Sequence, residues 1–257
     1  MPLAQVSVDL VGGVTTAASH LFALVPCAGV GKRAANATPK QYTMLGGRSV
    51  VGHTLHALSQ VPRLTATLVV LSAQDDFFET HCPGFEGWVA RCGGSTRAAS
   101  VGRGLEELAR RGARDHDWVL VHDAARCLLR PQWVERLIDA CLPDAVGGLL
   151  AMPVADTLKQ EVGGRVAATI ARGDKWAAQT PQMFRLGLLR DALARAGEGV
   201  TDEASAVESA GFAPRLVRGS VQNIKVTWPE DMELASRLLG GELEARSRLD
   251  VVPKTSL

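Results

Sequence analysis

The chain has 257 residues, 46% of them hydrophobic and 21% charged, and a net charge of +1. That length and apolar content suit a full core in one large α/β domain or two small ones. The even charge balance excludes a strongly basic nucleic-acid binder, and 5% aromatics with a single Tyr exclude a stacking platform for single strands.

Residues 1–20 are small and weakly patterned and read as a disordered extension. Leu21 to Val25 is an uncharged apolar run, the pattern of a strand buried on both faces. It stops at Pro26 and opens into Ala28, Gly29, Val30 and Gly31, where glycines allow a sharp turn and bring backbone amides close to a ligand. Lys32, Arg33 and Lys40 follow, three cations within nine residues. From Val11 to Gln74 there are five basic residues (Lys32, Arg33, Lys40, Arg48, Arg63) and no Asp or Glu. Backbone donors beside uncompensated cations, here Ala28, Gly29, Gly31 and Lys32, make a site for a polyphosphate.

Three readings compete for this stretch. Gly29-x-Gly31-x-x-Ala34 fits the dinucleotide fingerprint in form, but no acid follows about 20 residues on, and Pro39 would interrupt the pyrophosphate-binding helix. A P-loop requires Ser or Thr after Gly31-Lys32, where this chain has Arg33. A glycine turn with solvated lysines is the bland reading, weakened by the missing acids. Phosphate binding is favoured.

Further along, Val50–Leu58 is expected as a helix and Thr67–Ser72 as a buried strand. A loop around Gly93-Gly94 leads to a helix over Ala98–Arg110. Trp118–His122 reads as a third strand ending on Asp123-Ala-Ala-Arg126, Pro131–Cys141 as a helix, and Gly147–Pro153 as a fourth strand. Alternating strand and helix predict an α/β fold: one Rossmann-like domain over 21–240, with a mostly parallel sheet and helices on both faces. Ligands then bind outside the carboxyl ends of the strands, where the glycine loop, Gly94 to Ser100 and Asp123 to Arg126 should meet.

The pattern changes between 154 and 175. Two strand-like runs flank Gly163-Gly164, as in a hairpin that projects as an arm. Helices are expected over Phe184–Ala196, Val200–Ala210 and Pro229–Leu239, short strands over Arg215–Val217 and Asn223–Val226, and a flexible tail over 241–257. Lys225 stands out: a lysine buried in an apolar strand needs an anion. His122 reads as a satisfied structural histidine, Thr201-Asp-Glu as a helix-capping segment, and Lys40 taken alone as an exposed lysine. Five cysteines (Cys27, Cys82, Cys92, Cys127, Cys141) without a Cys-x-x-Cys pair read as reduced thiols in a cytoplasm. No membrane span or signal peptide is expected.

Eight blocks in order carry a specific resemblance: Ala28 to Arg33, Pro39 to Gln41, Gly93-Gly94 with Arg97 and Ser100, Val121 to Arg126, Pro153 to Thr157, Gln179 to Gln182, Thr201 to Ala204 and Asn223 to Thr227. From about Leu21 to Leu239 the chain resembles the 2-C-methyl-D-erythritol 4-phosphate cytidylyltransferases, nucleotidyltransferases of the non-mevalonate isoprenoid pathway. The resemblance implies transfer of a cytidylyl group from CTP to methylerythritol phosphate, with pyrophosphate released and Mg²⁺ or another divalent cation assisting. The attacking group is the substrate's own phosphate oxygen, so catalysis reduces to positioning and charge stabilisation.

By the same resemblance Arg33, Lys40 and Lys225 act on the phosphates as catalytic cations. Gly94, Ser100 and Ala124 line the cytosine pocket, and Asp123 serves the ribose and the metal. Thr157, Arg172, Thr180 and Thr201 hold the methylerythritol phosphate. The arm crosses to a second subunit, which implies a homodimer with Thr157 and Arg172 serving the neighbouring site. Ser95 stands where the family often has an acid, and Cys127 where it often has Pro. Alternatives are a ribitol 5-phosphate cytidylyltransferase, an NADP-dependent oxidoreductase with Arg33 on the 2′-phosphate, and a nucleotide-binding regulator without turnover. The length of the chain speaks against a fused cyclodiphosphate synthase domain.

Overall fold

The computed structural model describes residues 19–29 and 38–250, without the side chains of Glu198 and 241–250. Gly31, Lys32 and Arg33, nearly all of the expected N-terminal extension, and 251–257 lie outside the described residues.

In chain order the elements are β1 (Leu21–Pro26), β2 (Met44–Leu45), β3 (Arg48–Ser49), α1 (Val50–Ser59), β4 (Ala66–Val70), α2 (Phe78–His81), β5 (Trp88–Ala90) and α3 (Arg97–Arg110). Then come β6 (Trp118–Val121), α4 (Pro131–Cys141), β7 (Gly147–Pro153), β8 (Leu158–Val162), β9 (Arg165–Ile170), β10 (Trp176–Arg185), α5 (Leu186–Ala196), α6 (Glu203–Ser209), β11 (Arg215–Arg218) and α7 (Pro229–Asp250). Seven strands form one sheet in the order β11-β7-β10-β6-β1-β4-β5. Its pairs are parallel except those of β10, which runs antiparallel to both β6 and β7. This is the expected α/β fold with a mostly parallel sheet.

Strand alternation explains why the sheet is covered on both sides. Leu21, Ala23 and Val25 of β1 join Val51, Leu55 and Leu58 of α1 and Val134, Leu137 and Ile138 of α4. The intervening Phe22 and Leu24 face Val101, Leu105 and Leu108 of α3 and Leu186 and Leu189 of α5. Helix starts are fixed locally: the Ser49 side chain accepts from Gly52 N, Thr96 from Ala99 N, and Asp202 from Ser205 N in a reciprocal capping box.

β8 and β9 pair only with each other, forming the expected arm. Its turn uses Gly163 (φ +59°) and Gly164 (φ +78°), the two consecutive positive values that a tight two-residue hairpin turn requires.

Four expectations are corrected. Asn223–Val226 is not a strand; it is an irregular segment held largely by side chains. β10 begins at Trp176, so Phe184 and Arg185 end a strand and the helix starts only at Leu186. α7 continues to Asp250, through the first ten residues of the expected tail. Arg63, counted among uncompensated cations, is paired with Glu135 (3.0 Å) and Asp139 (2.5 Å) of α4.

Candidate active site

The parallel strands β1, β4, β5 and β6 all deliver their carboxyl ends to one edge. Beyond β1, Cys27 N donates to Val70 O (2.8 Å); beyond β5, Gly93 N donates to Leu71 O (2.8 Å). A side chain at Gly93 would place its Cβ 2.2 Å from Ala28 Cβ and 2.7 Å from Leu71 O, so only glycine lets these two loops touch. Gly94 N donates to Ser100 Oγ (3.0 Å), and Ser100 Oγ donates to Thr96 O (2.9 Å), which folds the expected base-binding loop onto the start of α3. Gln41 braces the glycine loop from below, its Nε2 donating to Gly29 O at 2.8 Å.

Two residues after β6 lies Asp123, 7% exposed. Its Oδ1 accepts from Arg97 Nε (2.7 Å) and its Oδ2 meets Lys225 Nζ at 2.8 Å, with Arg126 Nε at 3.9 Å. Burial alone would push the pKa of this carboxyl up, but the positive charges of Arg97 and Lys225 win and hold it well below its usual range. Arg97 turns its remaining nitrogens to Glu203, the first residue of α6, at 2.6 and 3.0 Å. Glu203 is fully buried; burial pushes its carboxyl upward against the pull of Arg97.

The antiparallel run of β10 places Thr180 beside this cluster, because Gln182 is already opposite Val121. Asp123 N donates to Thr180 Oγ1 (3.1 Å). Arg126 O can only accept, so neutral His122 donates to it through Nε2–H (3.3 Å), and Nδ1 accepts from the Thr180 hydroxyl (3.0 Å). Burial holds His122 down at about 4, so it is neutral at pH 7 and fully partnered, as a structural histidine should be. Ala124 is buried and its carbonyl accepts from Thr54 Oγ1 (3.1 Å).

Lys225 reaches Asp123 from a segment hung on polar links. Asn223 Nδ2 donates to Thr180 O (2.8 Å), Arg126 Nη1 to Asn223 O (2.6 Å), Val226 N to Ala125 O (2.9 Å) and Lys40 Nζ to Val226 O (2.6 Å). The Lys225 side chain is 45% exposed, so the expectation of burial is corrected while its need for an anion is met. Lys40 and Lys225 thus flank one short stretch of backbone.

Thr157 and Arg172 stand apart, on the two connectors at the root of the arm. Both are exposed, and Arg172 Nη1 donates to Ala155 O across the connectors. Among the described residues no hydrogen bond or ion pair joins either to the Asp123 cluster. Thr201 is exposed, just before the Asp202 cap of α6. Arg97, Arg126 and Glu203 belong to the cluster but were not among the candidate site residues. Arg126 Nε is buried with no hydrogen-bond partner. The available signal was an Arg three residues after a strand-end acid.

Among the described residues no three His, Cys, Asp or Glu side chains stand together as a metal cage. Four of the cysteines are buried, and burial raises the thiols of Cys127 and Cys141 to about 11 and about 12, so they are inert. No helix of the described residues is long and apolar enough to cross a membrane.

Residues 21–240 match the family described as IspD, 2-C-methyl-D-erythritol 4-phosphate cytidylyltransferase. The chain is 57% identical over 236 residues to the bifunctional enzyme IspD/IspF of Albidiferax ferrireducens, covering 91% of this chain but 56% of that relative's length. It is 51% identical to the 2-C-methyl-D-erythritol 4-phosphate cytidylyltransferase of Burkholderia cenocepacia strain J2315, over 86% of this chain and 96% of that protein. A crystal structure of a 4-diphosphocytidyl-2C-methyl-D-erythritol synthase superimposes with a TM-score of 0.78 at 41% identity, over 87% of this chain and 100% of the other. Matched along its whole sheet and through every strand-end loop just described, the chain belongs to the 2-C-methyl-D-erythritol 4-phosphate cytidylyltransferase family.

Proposed function

We propose that this protein transfers the cytidylyl group of CTP to 2-C-methyl-D-erythritol 4-phosphate, giving 4-diphosphocytidyl-2-C-methyl-D-erythritol and pyrophosphate. The observation that carries it is the buried Asp123 at the end of β6, flanked by Lys225 and Arg97 on the ligand-binding edge of the sheet. A phosphate oxygen of the acceptor attacks the α-phosphorus of CTP in line as pyrophosphate departs. The nucleophile is already an anion, so no side chain needs to deprotonate it.

The barrier is the approach of two anions, about 4 kcal/mol per pair of unit charges at ~4 Å and an effective dielectric near 20. Lys40, Lys225 and Arg33 offset that repulsion as charge develops, with Ala28, Gly29, Gly31 and Lys32 donating to the triphosphate. Gly94, Ser100 and Ala124 seat the cytosine. Asp123 takes the ribose and a magnesium ion. Its Oδ1 accepts from Arg97 and its Oδ2 faces Lys225 and, at 3.9 Å, Arg126, so the group stands ionised as an oxygen donor. One carboxylate with phosphate oxygens and water is the usual holding of magnesium, so Asp123 fits it. The ion, when bound, neutralises phosphate charge. Thr180 and Thr201 hold the methylerythritol phosphate, and the Thr180 hydroxyl, accepting from Asp123 N, also steadies the strand end.

The arm supports a homodimer in which Thr157 and Arg172 serve the neighbouring subunit's site. An isolated two-stranded hairpin is marginal in water, and Val162 and Val166 on this one are 64% and 63% exposed. The test is pyrophosphate release with Mg²⁺ and CTP, comparing methylerythritol phosphate with ribitol 5-phosphate. Release with the former alone is expected. Release with ribitol 5-phosphate alone would keep the chemistry and overturn the acceptor.

A further inference from the structure

Arg97 could satisfy Asp123 in a stronger way than it does. A guanidinium beside a carboxylate favours the bidentate fork, two parallel N–H bonds to two oxygens. Here the fork is spent on Glu203, whose Oε1 and Oε2 accept from Nη1 and Nη2 at 2.6 and 3.0 Å. Asp123 receives only the Nε edge, at 2.7 Å through Oδ1. Its Oδ2 is left for Lys225 at 2.8 Å.

Glu203 has no freedom to do otherwise. It is the first residue of α6, whose start is locked by the Asp202–Ser205 capping box. Gln182 of β10 also clamps that start, donating to Asp202 Oδ2 (2.8 Å) and accepting from Ala204 N (2.7 Å). Both Glu203 oxygens accept N–H bonds, and a carboxylate buried this completely without its guanidinium would be costly. The cluster then holds three cations, Arg97, Arg126 and Lys225, against two anions, Asp123 and Glu203.

We infer that Glu203 is a positioning residue: by occupying the fork of Arg97 it keeps one oxygen of Asp123 for Lys225 and so fixes the Lys225 ammonium at the site. Without the Glu203 charge, Arg97 swings its fork onto Asp123, and Lys225 loses its anchor. The inference deepens the proposed function, on which its kinetic consequence rests; its structural consequence does not depend on that function.

The experiment is therefore double. In the full-length protein, the rate at which Lys225 is acetylated by acetic anhydride is followed by mass spectrometry, with the exposed arm residues Lys159 and Lys175 as internal references. Glu203→Gln is expected to speed labelling of Lys225 about three- to fivefold, the scale of losing a partly exposed ion pair, while both references stay constant. In turnover assays Glu203→Gln is expected to lower kcat roughly 10- to 100-fold, the usual effect of removing an outer-shell partner. In a Lys225→Ala background the same change should cost little more, because both act through one group. Glu203→Asp, which keeps the charge but cannot span both nitrogens, should fall between and provides a folded reference.

Unchanged Lys225 labelling in both Glu203 variants would overturn the inference, as would an equal loss of kcat with and without Lys225. Faster labelling in a protein that turns over neither acceptor would keep the positioning role and overturn the proposed function instead.

Discussion

The Asp123 cluster and the β8–β9 arm both carry groups expected to meet substrate, yet they are built on opposite terms. In the cluster, Asp123 is 7% exposed and Glu203 is fully buried, and both oxygens of each carboxylate have a named cationic partner. On the arm, Thr157 and Arg172 are exposed and two valines face solvent for more than half their surface. One region satisfies both of its buried carboxylates within a single chain, because a buried carboxylate left unpaired is costly. The other is a surface whose apolar residues gain only when something covers them.

Lys225→Ala attacks the cluster at its exposed end. It should lower kcat by 10²–10³, the scale for losing one donor to developing charge, with much less effect on the melting temperature, since the Lys225 side chain is 45% exposed. Steady-state kinetics beside a thermal melt check this. A large rise in KM with kcat preserved would instead make Lys225 a ground-state binding group.

Mixing variants tests whether the arm is incomplete in the sense proposed. Arg172→Ala and Lys225→Ala should each be nearly inactive alone. Subunits exchanged in equal amounts should recover about a quarter of wild-type activity, since half the dimers are mixed and each mixed dimer holds one intact site. No recovery would mean that each arm serves its own chain.

Acid separates the regions again. His122 has its folded-state pKa lowered to about 4, chiefly by burial, from an unfolded value near 6.5. A base depressed in this way contributes stability that is fully present above pH 6.5 and is lost as pH falls toward 4, up to about 3 kcal/mol. Asp123 adds little loss down to pH 4.5: a carboxyl held below its usual range gives up its contribution only as pH falls through the ordinary carboxylate pKa of about 3.9 and below it. Glu203, raised by burial, works in the opposite direction. The measurement is accordingly a difference: urea unfolding at pH 7 and pH 4.5, wild type against His122→Asn, with the wild type expected to lose more. Equal losses would mean that His122 titrates normally.

The same contrast decides what could be read from the chain itself. Strands buried on both faces announce themselves as apolar runs, so β1, β4, β6 and β7 were legible, as were Pro131 at the start of α4 and the glycine pair of the arm. β10 was not. Pro181 argues against a central strand, and here it sits where the pairing with β7 shifts register between Ala178 and Gln182. Missing β10 hid the antiparallel turn of the chain that puts Thr180 against Asp123. The Asn223–Val226 segment was misread for the complementary reason: its residues look like a strand, but side chains of Lys40, Arg126 and Asn223 hold it in place of a ladder. Asp123 and Lys225 could be named from motifs around them. The role of Glu203 could not, because nothing local to Thr201-Asp-Glu reveals an arginine 106 positions earlier.

The smallest expected effect bears on what covers the arm. Val162 lies at the end of β8 and Val166 near the start of β9, both exposed in the single chain. Changing both to Ser removes apolar surface worth at most about 1.5 kcal/mol per valine if a partner buries it fully, and almost nothing if water already does. Sedimentation across a dilution series should therefore show the dimer dissociating at roughly tenfold higher concentration, while the melting temperature of the dissociated chain stays the same. If dissociation does not move, the valines face solvent in the assembly too. The arm would then owe its order to the Gly163-Gly164 turn and its own ladder, and Arg172 would have to reach a neighbouring site from an arm whose tip is uncovered.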